Sequence, residues 1–133
     1  MYLSYLKPFH KESFLDLSLI ISNADQEFNV LEKNFIEQLC EEMRIEPKFS
    51  TEKSLDEVLD SISSSATLKE KKIILLEVLG VVMVDNDVKV EEIEIVTRLL
   101  NKFALKKEDF DVAITLVKKI YNIYSECSNF INE

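Results

Sequence analysis

The chain has 133 residues, of which 25 are acidic and 16 basic, giving a net charge of −9, and 47% are hydrophobic. At 15.4 kDa it is the size of one domain, with enough apolar content for a core; the acidity excludes a general nucleic-acid binder and argues against docking on anionic lipid. A single glycine and two prolines exclude a Gly-rich phosphate loop or dinucleotide fingerprint, and leave too little turn chemistry for a β-sandwich or barrel, so the expected class is all-α.

The sequence predicts a short helical turn near residues 2–7, then helices over about 10–24, 30–44, 49–62, 68–84, 90–103 and 108–126. Phe14, Leu15, Leu17, Ile20 and Ile21 give the first helix its apolar face. Asn29 and Glu32 read as a capping box opening the second, whose stripe is Leu31, Phe35, Leu39 and Met43. Pro47 breaks the chain after it. Ser54 with Glu57 and Thr67 with Glu70 are two further boxes, and Ser61 to Thr67 reads as a polar linker between halves. The stretch 68–84 is apolar nearly all round, which marks a central helix; Gly80 within it costs about 1 kcal/mol against alanine and would let a neighbouring helix approach closely. The fifth helix carries Ile93, Val96, Leu99, Leu100 and Phe103, and the sixth Ala113, Leu116, Val117, Ile120 and Tyr124.

One rival reading concerns Val81–Val84 and Val88–Val90, β-branched residues around an acidic turn that resemble a hairpin. An internal comparison decides against it. With the sequence shifted by 60 residues, Asp25 falls on Asp85, Glu27 on Asp87, Val30 on Val90 and Glu32 on Glu92, and apolar positions fall on apolar positions through Ile45 and Leu105. The chain therefore reads as a single domain, 1–133, a compact bundle of six or seven helices built from two similar three-helix units, about 10–62 and 70–126.

Each unit carries the same acidic corner, with Asp at the end of one helix and Glu in the first turn of the next. The acids are Asp25, Glu27 and Glu32 in the first corner and Asp85, Asp87 and Glu92 in the second. Converging carboxylates repel, and a cation, protonation or hydration relieves them. With oxygen ligands alone, the cation would be Ca²⁺, Mg²⁺ or Mn²⁺. An EF-hand is excluded: counted from Asp85, Lys89 and Val90 stand where an oxygen ligand and a glycine are required, and Val96 stands where the bidentate Glu belongs. A structural explanation competes: Glu32 closes a capping box with Asn29, Glu91 and Glu92 favour the helix dipole in a first turn, and Asp25 and Asp85 end helices through turn bonding.

The doubled motif, Ala24-Asp25-Gln26 to Glu32 and Val84-Asp85-Asn86 to Glu92, resembles the TerB-like family of tellurite-resistance proteins over about residues 10–120. That resemblance implies an all-helical fold of two similar halves, with a divalent cation at Asp25, Glu32, Asp85 and Glu92 and Glu27 and Asp87 as secondary candidates. The family's glycine after each Asp is replaced here by Gln26 and Asn86.

The remaining chemistry is sparse. His10, the one histidine, has no Ser or Cys partner at a nucleophilic spacing, and neither cysteine has a histidine partner. Cys40 reads as core. Two cysteines form no disulfide framework, the N-terminus has no signal-peptide pattern, and the longest apolar run, Ile73–Val84, is shorter than the roughly 20 residues needed to span a bilayer. A cytoplasmic location is expected, without nucleic-acid binding or direct membrane insertion. Tyr2, Tyr5, Phe9 and Phe14, and Tyr121, Tyr124 and Phe130 at the other end, are expected to pack on the bundle or, if exposed, to form a partner surface. Lys69, Lys71 and Lys72 make a basic spot, and Glu37, Glu41 and Glu42 an acidic face. The expected function is a non-enzymatic, cation-binding accessory protein of tellurite or stress response. The alternative is a metal-free interaction module whose acidic face meets a protein partner. A metal-assisted hydrolase lacks a general base. The sequence leaves the oligomeric state open.

Overall fold

A computed structural model describes residues 1–24, 30–84 and 88–133, with backbone alone at 30 and 31. A 3-10 turn, Leu3–Tyr5, precedes α1 (Pro8–Ser22), α2 (Val30–Met43), α3 (Leu55–Ser65), α4 (Leu68–Val82), α5 (Val90–Lys102) and α6 (Lys107–Ile131). No strand occurs among the described residues, and the segments flanking 85–87 are helix-bound on both sides, as the internal comparison required.

Capping sets the boundaries. The Ser54 hydroxyl accepts the Glu57 N–H and Glu57 accepts the Ser54 N–H; Thr67 and Glu70 do the same for α4. Because Ser54 is the cap, α3 starts at Leu55 rather than 49. It then runs through the serine-rich stretch to Ser65, where the hydroxyls of Ser64 and Ser65 bond back to the Ser61 carbonyl. The expected linker shrinks to Ala66 and Thr67. α5 and α6 use half of the device: Lys89 and Lys106 cannot accept, but their backbone N–H groups donate to Glu92 and Asp109 at 3.0 and 2.9 Å. α2 and α5 stop alike. Arg44 and Ala104 take left-handed φ values of 58° and 53°, and the next N–H groups, of Ile45 and Leu105, return to the carbonyls of Cys40 and Leu100.

α1 packs against α2, α3 and α4, while α4 packs against α1, α5 and α6. Two central helices thus face each other, not only the one that its all-round apolarity announced. Phe14, Leu15, Leu17 and Leu19 of α1 meet a core that includes Ile74, Leu75, Val78 and Leu79 of α4, and Cys40 is buried as expected. α3 and α5 run side by side in one direction, with Asp56 paired to Arg98 and Asp60 to Lys102. Ile93, Leu116 and Tyr124, assigned to apolar stripes, are instead exposed. α5 and α6 sit at the periphery and bury a narrower face than their sequence offers.

Gly80 does not mark a close helix approach. A Cβ there would meet only the Tyr121 hydroxyl, at 3.7 Å, an ordinary contact. The Gly80→Ala variant is therefore expected to gain about 0.5–1 kcal/mol in urea unfolding through helix propensity; a loss of stability would show that the site is tighter than this.

Candidate interaction surface and the acidic corners

The cation ligands inferred from sequence fall largely outside what is described: Asp25, Glu27, Asp85 and Asp87 lie in the segments 25–29 and 85–87. Glu32 and Glu92 lie in the first turns of α2 and α5, both half-buried. One oxygen of Glu92 closes its helix start by accepting the Lys89 N–H. Among the described residues, no three His, Cys, Asp or Glu side chains stand together as a metal-binding group.

The interior holds polar groups that the sequence did not connect. His10 is 2% exposed, and its Nδ1 lies 2.9 Å from Glu70 Oε2 and its Nε2 2.9 Å from Ser65 Oγ. The serine partner that spacing along α1 did not supply comes from the far end of α3. A Ser–His–Glu line invites comparison with a catalytic triad, but a nucleophilic serine must give its proton to the histidine. Here the Ser65 hydroxyl, besides lying 2.9 Å from Nε2, donates to the Ser61 carbonyl at 2.7 Å. The three side chains tie the start of α1, the end of α3 and the start of α4 together.

Asp16, 1% exposed on α1, is the second such group. Lys48 reaches it at 2.6 Å and Lys53 at 3.5 Å, which pins the irregular 44–54 segment to the core. Burial alone would raise its pKa; the Lys48 ammonium, helped by Thr51 and Lys53, outweighs burial and holds it below 3.8. The Glu70 carboxyl is held below 4.5, first by the Thr67 backbone N–H, then, against burial, by the Thr67 hydroxyl and His10. Both carboxyls titrate lower in the folded chain than in the unfolded one. Their stabilisation is therefore complete above the unfolded values and is lost as pH falls through the native ones. Replacing Lys48 with Met removes the nearest cation and raises the native Asp16 pKa, so the variant is expected to be less stable than the wild type at neutral pH and to lose less of its thermal stability on acidification, the two converging at low pH; an unchanged pH dependence would contradict the role given to this pair.

One exposed apolar surface is built by the N-terminus. The Met1 ammonium lies 2.9 Å from Glu42 and 3.1 Å from Glu77; Tyr2 N–H donates to Glu77 at 2.8 Å and Leu3 N–H to Glu42 at 3.3 Å. Glu77, the charge interrupting the apolar run of α4, is thereby explained. With Leu3 and Leu6 buried, the clamp holds Tyr2 and Tyr5 beside the first turns of α4. Together with Leu68, Lys69, Lys72, Ile73 and Leu76 they line an open groove of about 480 Å³ whose surface is almost wholly apolar. Among the described residues, neither Lys69 nor Lys72 has an ion-pair partner. Of the N-terminal aromatics, Tyr2, Tyr5 and Phe9 thus stand at the surface, while Phe14 packs in the core.

A second apolar surface lies on α6. Ala113 and Val117 are buried, and the Tyr121 hydroxyl donates to the Gly80 carbonyl. Beyond Tyr121 every residue is exposed, with Ile123, Tyr124, Phe130 and Ile131 at 55–78%. The sixth helix was expected to end near 126 and runs to Ile131; of the two outcomes left open for Tyr124 and Phe130, packing or an exposed surface, the second is found. No helix among the described residues is long and apolar enough to cross a membrane. No protein-family model matches the chain, and no curated protein or solved structure matches it either.

Proposed function

We propose that this chain is a helical protein-interaction module whose docking surface is the groove between the N-terminal aromatics and α4. The groove carries the reading. It is an exposed apolar concavity with tyrosines at its wall and two lysines at its edge, the composition of an interaction core with a polar rim. The partner chemistry it suits is an apolar segment flanked by acids, the reverse of the basic partner that the overall charge suggests. Neither cysteine is in a disulfide, which accords with a reducing, cytoplasmic setting. A photo-reactive residue at Leu68 in living cells is expected to capture discrete adducts that vanish with Lys72→Glu. One at Lys107, exposed on α6, should capture none; equal capture at both positions would contradict the groove.

A second reading keeps the divalent cation of a TerB-like accessory protein in tellurite or stress response. What favours it is the matching first-turn placement of Glu32 and Glu92 at two helix corners. The shared left-handed stops at Arg44 and Ala104, sixty positions apart, support the two-unit plan that goes with it. On this reading Ca²⁺, Mg²⁺ or Mn²⁺ raises the melting temperature, and Asp85→Asn removes the rise; no response to any of the three would contradict it.

A further inference from the structure

We propose that the occupant of the α4 groove is the outer half of α6 from a second copy of this chain, with the exchange made in both directions. The proposal rests on the groove being a docking surface and names its partner.

Charge carries the choice. Two chains of net charge −9 repel each other across most of their surfaces. The groove is a local exception, since its two charged residues, Lys69 and Lys72, are basic and have no ion-pair partner among the described residues. From Ile120 to Glu133 the only charged residues are Glu126 and Glu133. The outer half of α6 therefore presents apolar side chains with acids, and the groove presents apolar side chains with bases. Two α6 ends facing each other would instead oppose acid to acid.

Area agrees with reciprocity. Ile123, Tyr124, Phe130 and Ile131, at 55–78% exposure, offer a few hundred Å² between them, since an aromatic side chain buries about 150–250 Å². A stable pair buries about 800 Å² per partner. A one-way insertion falls short of that. A two-way exchange counts helix and groove on each copy, and it closes on a two-fold axis without leaving sticky ends.

The test is the mass of the full chain in solution across a wide concentration range, in reductant so that the exposed Cys127 cannot cross-link. The wild type is expected to rise reversibly from 15.4 kDa to twice that value. Lys69→Glu with Lys72→Glu in one chain, and Glu126→Lys with Glu133→Lys in another, should each weaken association by at least about tenfold. Mixing the two variants should restore it, because each groove then meets an oppositely charged helix. All four positions are exposed, and circular dichroism checks that both variants remain folded. A wild-type mass of 15.4 kDa at every concentration overturns the proposal, as does association that both variants retain. If the chain stays at 15.4 kDa while Leu68 captures a different protein, self-association falls and the docking reading stands. If Leu68 also captures nothing, both fall.

Discussion

The packing of α1 on α4 is the constraint on which the other elements depend. Each helix buries more than half of its residues, so neither has a stable solvent-facing side on its own. Fully burying a leucine, isoleucine or phenylalanine stabilises by about 1.5–3 kcal/mol, and these two helices supply a larger share of that burial than any other pair. The remaining helices cover the pair, α2 and α3 over α1, and α5 and α6 over α4.

Besides the Cys40 thiol, four titratable side chains among the described residues are buried in this interior: His10, Asp16, Glu70 and Glu77. An unpaired group of this kind costs several kcal/mol, so each must be satisfied. His10 and Glu70 bond to each other across the central pair, and the remaining partners tie outlying segments to it. His10 and Glu70 hold the end of α3, Asp16 holds the 44–54 segment, and Glu77 holds the N-terminus. The polar groups act as fasteners at the points where peripheral segments join the core. The groove follows from the last of these, because Tyr2 and Tyr5 stand beside α4 only while Glu42 and Glu77 grip the backbone ahead of them.

The helical fold was legible because its signals are local. One glycine, two complete capping boxes and a few apolar stripes place all six helices within a few residues, apart from the start of α3 and the end of α6. The α3 start was misplaced although Ser54 had been recognised as a cap, because the residues before it look helical until Asp16 is seen to hold them in another path. The groove was not legible, since its wall and floor lie more than sixty residues apart and are brought together by Glu42, Glu77 and the burial of Leu3 and Leu6. The Ser65 partner of His10 was hidden for the same reason. The exposed face of α6 was written in the sequence as an apolar stripe, but periodicity shows where apolar residues align and not whether anything covers them. Of the acidic corners, the structure places only Glu32 and Glu92.

Hydrogen exchange, resolved along the chain, tests the central packing most directly. If α1 and α4 form the core on which the rest is hung, their amides exchange last and with the same free energy, that of global unfolding, while 122–131 of α6 exchanges early. If α1 or α4 opens well before α3 or α5, or if the outer half of α6 is as protected as α4, this account of the fold is contradicted.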